Sequence, residues 1–302
     1  MAKTLIIIAG PTATGKTSLA ISLAKGLHTE IISADSRQCY RELNIGVGRP
    51  SAEQLAAVPH HFIASHSITD QVTAITFEQY ALATLDRIFE NAETAVVAGG
   101  TGLYLKALTD GLDLIPDIPP DIREKIIEDY ESVGLGWLQE TIEKEDPYFY
   151  AHGENKNPHR LMRALEVMRG TGKSILSFKS NSLADRGFRI LKYNLVLSKP
   201  ILHKNISERV DKMVEDGLFD EVRSLMPFEH LQALQTVGYK EIFEFYHGNT
   251  TKDEAVQHIK THTRQYAKRQ MTWFKKDSRF ITLNGEAPHQ DLVVRIDQDL
   301  QD

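Results

Sequence analysis

The sequence predicts an α/β fold, a parallel β-sheet flanked by helices, with an all-helical domain inserted into it. Three observations carry that prediction. Short apolar runs alternate with helically periodic segments through the first hundred residues, the pattern of strands covered on both faces. The first run, Leu5-Ile6-Ile7-Ile8-Ala9, opens directly into a glycine-bearing loop and a helix. From residue 113 to about 186 the strand signal stops and only helical spacing remains.

In order, Leu5–Ala9 reads as a buried strand and Lys16–Leu27 as a helix with Leu19, Leu23 and Leu27 on one side. Glu30–Ala34 is a second short strand ending at Asp35-Ser36. Phe77–Asn91 has helical spacing through Tyr80, Leu85 and Ile88. Thr94–Ala98 is a strand running into Gly99-Gly100-Thr101-Gly102. The Pro-rich stretch from Ile115 to Pro120 then opens the helical segment, with Ile122, Ile126, Ile127 and Tyr130 as one apolar face and Leu161, Leu165 and Met168 as another. A strand returns at Ile190–Leu197, and helices follow through Lys276. This places an α/β core at 1–112 and 187–302 and a helical insertion at 113–186.

The chain has 302 residues, 41% hydrophobic and 25% charged, an ordinary soluble balance with enough length for a large core. No apolar stretch approaches the roughly 18 residues of a membrane span, and the start leaves no room for a signal peptide. Cys39 is the sole cysteine, which excludes a disulfide framework or a cysteine zinc site. A cytoplasmic monomer with no membrane association is the expectation. The net charge of −6 argues against a general nucleic-acid coat. Yet Lys260, Arg264, Lys268, Arg269, Lys275, Lys276 and Arg279 crowd one stretch against the single acid Asp277, enough to hold a polyanion locally.

The loop Gly10-Pro11-Thr12-Ala13-Thr14-Gly15-Lys16-Thr17 fits G-x-x-x-x-G-K-[ST], set between strand and helix where that pattern has a mechanism. Backbone N–H groups and the positive end of a helix dipole cradle a di- or triphosphate there. Lys16 would reach the phosphates and the Thr17 hydroxyl would sit on Mg²⁺. The core is therefore predicted to be P-loop NTPase-like. Asp35, at the carboxyl end of the second strand, shares that sheet edge. It reads either as a general base or metal partner, or as a turn residue. The Thr94–Ala98 strand ends in glycines and Thr101 with no carboxylate, which weakens a motor-ATPase reading. Arg264, Lys268 and Lys275 share one helical face, with Tyr266 and Gln270 around the other side. Arg123, Arg160 and Arg163 are candidate phosphate-pairing residues in the insertion. The histidines, His60-His61 included, lack metal-ligand spacing and read as structural or surface residues.

Taken together, these segments resemble the tRNA dimethylallyltransferases, the bacterial tRNA isopentenyltransferase (IPP transferase) family, almost end to end. The loop, the run Asp35-Ser36-Arg37-Gln38-Cys39-Tyr40, the Gly99–Tyr104 stretch, Glu208-Arg209-Val210, Val237–Glu241 and the ending Ala267-Lys268-Arg269-Gln270 with Thr272-Trp273-Phe274 carry the likeness. The resemblance implies transfer of a dimethylallyl group from dimethylallyl diphosphate to the exocyclic amine of the adenine 3′ of the anticodon, in tRNAs reading codons that start with U. It implies Asp35, Thr101 and Lys16 as catalytic residues, with Mg²⁺ on Thr17 and the diphosphate on Gly10–Thr17. It implies contacts with the tRNA anticodon stem-loop from Asp35, Ser36, Arg37, Gln38 and Thr101 beside the adenine. The insertion residues Arg123, His159, Arg160, Leu161, Met162 and Arg163 join them, with Arg264, Gln265, Tyr266, Ala267, Lys268 and Arg269 near the C-terminal end. Val47-Gly48-Arg49-Pro50 departs from the family's Thr-Ala-Lys-Pro. A nucleotide or small-molecule kinase, a prenyltransferase acting on free adenine nucleotides and a nucleotide-dependent RNA-binding protein are the alternatives.

Overall fold

In a computed structural model the described residues are 3–180 and 183–301. Residues 1, 2 and 302 of the predicted core, and 181 and 182 of the predicted insertion, lie outside them. The chain divides into two compact units, Met1–Gly111 with Ala184–Asp302, and Leu112–Leu183.

The first unit runs β1 (Thr4–Ala9), α1 (Lys16–Gly26), β2 (Ile31–Ala34), α2 (Ala52–Ala57), β3 (His60–His61), α3 (Ala74–Asn91), β4 (Thr94–Gly99) and α4 (Gly102–Asp110). The second holds α5 (Pro120–Val133), α6 (Leu135–Glu145), α7 (Pro147–His152) and α8 (Pro158–Thr171). The first unit resumes with β5 (Arg189–Val196), α9 (Lys199–Glu215), α10 (Leu218–Ser224), α11 (Lys240–Tyr246), α12 (Lys252–Phe274), β6 (Phe280–Asn284) and α13 (His289–Gln301).

The sheet order is β3-β2-β4-β1-β5-β6 and every pair is parallel. The register Ala9↔Gly99 and Ala34↔Gly99 brings the ends of β1, β2 and β4 to one edge. The loop after β1, Asp35 and Gly100 therefore emerge side by side. Period-two alternation divides β1 between two cores. Leu5, Ile7 and Ala9 pack with Phe77, Leu85, Leu108, Ile242 and Ile259, while Ile6 and Ile8 pack with Leu19, Leu23, Leu292 and Ile296. Both faces are buried, so β1 reads as a continuous apolar run rather than an alternating one. Truncating Ile7 to Ala would cost about 2–5 kcal/mol.

An ion cluster is built on β5 at Lys192. Buried Lys192 donates to Asp277 at 3.0 Å and lies 3.6 Å from Asp110, while Arg279 donates to both carboxylates. Arg279 and Lys260, the latter paired with Asp211 at 2.6 Å, are thus bound up within the fold rather than free for a polyanion.

In the second unit Ile126, Leu138, Ile142, Phe149, Leu161 and Leu165 form the core. Asp146 caps α7 by accepting the Phe149 N–H, and Asn157 caps α8 by accepting from His159 and Arg160, each satisfying donors that a helix start leaves open. No helix among the described residues is long and apolar enough to cross a membrane.

The parallel sheet, its flanking helices and the helical insertion are as predicted. The sequence did not predict β3, β6 or α13. His60 and His61, read as structural or surface residues, form the edge strand β3.

Candidate active site

The loop after β1 is shaped by its backbone. Gly10 sits at φ 145°, and a Cβ there would meet the Leu195 carbonyl oxygen at 2.5 Å, so only glycine fits between β1 and β5. Ala13 is left-handed at φ 63°, a conformation that costs a residue with a Cβ about 1–2 kcal/mol. Asn205 of α9 holds its carbonyl at 3.2 Å. The Thr14 hydroxyl donates to the Pro11 carbonyl at 2.9 Å from a buried position, bracing the turn from inside. Gly15, at φ 89°, begins α1 with no side-chain cap and no acidic residue in the first turn. The positive end of α1 is therefore left for an anion.

A cavity of about 640 Å³ opens at this edge, a size suited to a small ligand with several polar anchors. Thr12, Lys16 and Thr17 line it from the loop, Asp35 to Gln38 from the end of β2, Arg209 from α9, and Gln265, Tyr266, Arg269 and Gln270 from α12. The Lys16 ammonium donates to the Pro11 carbonyl at 2.6 Å. Burial, and then the neighbouring Arg209 cation, lower its pKa to about 7 despite the opposing pull of Asp35. Arg209 is lowered by burial with Asp35 again opposing, and as a guanidinium it stays charged. Two cations thus share a partly desolvated site with one nearby carboxylate, an arrangement that an incoming polyanion relieves.

Asp35 is a turn residue whose carboxylate also lines the cavity. Its Oδ1 accepts the N–H groups of Arg37 at 2.9 Å and Gln38 at 3.3 Å, the geometry of a turn residue. Both bonds fall on Oδ1, and the carboxylate lines the cavity. Thr101 does not line it. Its Oγ1 accepts the Ser36 N–H at 3.0 Å and also hydrogen-bonds Tyr266, whose phenol is pushed up to about 12 by burial and then by Asp35. Thr101 thereby joins the end of β2 to α12. Cys39 is buried, and its thiol is raised to about 12 by burial and Asp35, which makes it unreactive.

Arg37 and Gln38 are held by backbone. The Arg37 guanidinium donates to the carbonyls of Gln232 and Ala233 at 3.3 and 3.2 Å. The Gln38 amide donates to Val47 and Gly48 at 3.4 and 3.1 Å. Gln270, nearly buried, accepts the Thr12 N–H at 3.0 Å and donates to the Gly100 carbonyl at 2.9 Å, linking the phosphate loop to the end of β4. In the departure from the family pattern, Arg49 binds the carbonyls of Tyr40, Arg41 and Leu43, which makes it an internal brace of its own loop.

Two predicted contact residues have buried side chains. Ala267 is 1% exposed and packs against Leu202 and Ile206 of α9, and Leu161 is fully buried in the helical core. The i, i+4 periodicity that places their neighbours outward turns these apolar side chains inward. Of the remaining residues, Gln265, Lys268 and Arg269 are exposed and Arg269 lies over the Tyr266 ring at 5.7 Å. Arg264 is half-buried with its guanidinium on Ser207 at 2.9 Å. In the helical unit His159 and Arg160 are exposed on the first turn of α8, and Met162 packs against the core. Arg163 pairs with buried Glu166 at 2.6 Å, with Arg123 3.8 Å from the same carboxylate.

Arg209 and Gln270 were assigned no site role from sequence. Both lie in stretches that carried the family likeness, and that likeness was the one signal able to find them.

Comparison with known proteins identifies the family. The model of the family described as IPP transferase matches residues 38–277. The chain is 45% identical over 277 residues to the tRNA dimethylallyltransferase of Christiangramia forsetii, across 92% of each chain. It is 41% identical over 295 residues, 96% of each, to that of Flavobacterium psychrophilum. Among solved structures, the full-length tRNA isopentenylpyrophosphate transferase of Bacillus halodurans matches with a TM-score of 0.74 at 32% identity, over 99% of this chain and 96% of that one. A eukaryotic dimethylallyltransferase acting on tRNA matches with a TM-score of 0.76 at 25% identity, over 94% and 74%. With the family model spanning most of its length and relatives this similar across nearly all of it, the chain belongs to the IPP transferase family.

Proposed function

We propose that this enzyme transfers a dimethylallyl group from dimethylallyl diphosphate to the exocyclic amine of the adenine that follows the anticodon in tRNA. The observation that carries the reading is the meeting of Lys16, Arg209 and the uncapped start of α1 with Asp35 in one cavity. A prenyl diphosphate reacts by breaking its carbon–oxygen bond, with the electron pair leaving on the diphosphate. Lys16, Arg209 and the loop N–H groups stabilise that charge as it develops. The adenine nitrogen forms the new bond to carbon and must lose a proton. Asp35 accepts it, with Oδ1 fixed by the turn. To reach the cavity the base leaves its stacked loop, as enzymes acting on bases require.

Mg²⁺ fits the donor set. The Thr17 hydroxyl is a hard oxygen ligand lining the cavity at the phosphate loop, and this ion is commonly held by one or two protein oxygens together with substrate phosphates. When bound it adds positive charge at the departing diphosphate. Lys268, Arg269, Gln265, Arg160, His159, Arg163 and Arg123 are assigned to the anticodon stem-loop, and the helical unit to its grip. The reading includes action as a monomer, in the cytoplasm where tRNA is found.

The test is release of diphosphate from dimethylallyl diphosphate in the presence of Mg²⁺. Release that requires unmodified tRNA, and that neither AMP nor ATP replaces, supports the reading. ATP turnover with a phosphorylated product would overturn it.

A further inference from the structure

Glu221 of α10 does not line the cavity, yet it fastens two loops that do. Its Oε2 accepts the N–H groups of Asn44 at 3.2 Å and Ile45 at 2.7 Å, and its Oε1 accepts that of Gly46 at 3.0 Å. The Tyr239 hydroxyl donates to the same Oε1 at 2.6 Å. Successive backbone N–H groups around one carboxylate form a concave anion seat, here filled by a side chain of the protein itself. Four donors on one carboxylate saturate it, and Arg49 interacts with it electrostatically as a nearby counter-charge. The Tyr239 phenol is buried, and burial together with Glu221 raises its pKa, so it remains the donor. A Cβ on Gly46 would lie 2.6 Å from the Tyr239 ring, which shows how closely loop and ring are pressed together.

Both fastened segments lead straight into the cavity. Val47 and Gly48 follow the clamped N–H groups, and their carbonyls accept from Gln38 and, at 3.5 and 3.4 Å, from Arg209. On the other side, Val237 and Gly238 line the cavity immediately before Tyr239. The carbonyls that steer the Arg209 guanidinium are therefore set by a carboxylate outside the site.

We infer that Glu221 is a positioning residue for prenyl transfer, holding the 44–48 loop and Tyr239 so that Arg209 stays aimed at the diphosphate. The inference rests on the reading that the cavity takes a prenyl diphosphate. Its signature is a loss of diphosphate binding with tRNA binding retained.

The test compares wild type with Glu221→Gln, which keeps the size of the side chain but turns an amide N–H₂ toward N–H donors. Each is assayed well below its melting temperature for KM toward dimethylallyl diphosphate, kcat at saturation, tRNA affinity and binding of inorganic diphosphate. Losing hydrogen bonds to a charged acceptor should raise both KM and the diphosphate dissociation constant about tenfold, with a smaller fall in kcat and unchanged tRNA affinity. Tyr239→Phe removes one donor and should move the same constants in the same direction by less, with the double variant worse than Glu221→Gln by less than the Tyr239→Phe factor. Constants within twofold of wild type in folded Glu221→Gln would reduce Glu221 to a structural brace. If that variant does not fold, Tyr239→Phe decides, and unchanged constants overturn the inference. A wild type that transfers no prenyl group contradicts the proposed activity instead, and the diphosphate dissociation constants still decide the clamp.

Discussion

The side-chain oxygen of Gln270 accepts the backbone N–H of Thr12 at 3.0 Å across 258 residues of sequence, while its amide nitrogen donates to the Gly100 carbonyl at 2.9 Å. One nearly buried side chain thus sets the spacing between the phosphate loop and the end of β4. Gln270→Ala leaves both backbone groups without this partner and should cost about 1–3 kcal/mol of stability. Gln270→Glu keeps the acceptor for Thr12 but sets a carboxylate oxygen against the Gly100 carbonyl and adds negative charge beside the loop. It should therefore weaken diphosphate binding more than the alanine variant does. Calorimetric titration with inorganic diphosphate checks the order, and equal affinities would contradict it.

Asp35→Asn separates the two roles of Asp35. The amide oxygen can still accept the Arg37 and Gln38 N–H groups, so the turn and the melting temperature should survive. The base is gone, and kcat should fall by roughly 10²–10⁴-fold with tRNA affinity retained. Near-normal turnover would remove Asp35 from proton transfer.

The lowered pKa of Lys16 makes diphosphate binding depend on pH. Its value in the folded protein, about 7, lies below the ordinary 10.5. Between these values the unfolded chain binds more protons, so through this group the ligand-free protein gains stability as pH rises from 7 toward 10.5. A bound diphosphate favours the charged ammonium, so binding above pH 7 takes up a proton. Affinity should fall with pH there, approaching about tenfold per unit at the steepest. Titrations in buffers of different ionisation enthalpy measure the uptake. Lys16→Met should abolish this contribution, and proton uptake unchanged in that variant would contradict the assignment.

The structure ranks the basic residues of α12 differently from their spacing in sequence. Lys268 and Arg269 are exposed, whereas Arg264 is fixed on Ser207 and Lys260 on Asp211. Lys268→Ala should weaken tRNA binding and reduce the slope of log K against log salt by about 1. Lys260→Ala should leave that slope unchanged. The reverse order, measured by fluorescence anisotropy across salt concentrations, would place the tRNA elsewhere.

What was legible in the sequence follows from how local each signal is. β1 and its loop declare themselves within a dozen residues, because a strand buried on both faces reads as one apolar run and the phosphate loop has fixed spacing. Asp35 was found by its place at a strand end. By contrast, β6 has two buried or half-buried positions, Leu283 and Phe280, among exposed ones, and β3 spans two residues. Neither carries a period that can be read. Arg209 and Glu221 sit on helices among other charges, Glu208 and Asp220 beside them, and no spacing singles them out; only the family likeness covered Arg209. Their roles arise from loops more than 160 residues away, a relationship only the folded chain contains. Ala267 and Leu161 have buried side chains within the expected contact stretches for the converse reason, since a motif names consecutive residues while a helix turns each by about 100°.

The central claim is that the phosphate loop holds a prenyl diphosphate whose carbon chain passes to an adenine amine. Its most direct test is mass spectrometry of nucleosides digested from tRNA after incubation with dimethylallyl diphosphate and Mg²⁺. The account predicts one dimethylallyl group on the exocyclic nitrogen of the adenosine that follows the anticodon, matched by one released diphosphate and lost in Asp35→Asn. Unmodified adenosine at that position after active wild type has consumed its diphosphate substrate, or a phosphorylated product formed from ATP, would contradict it.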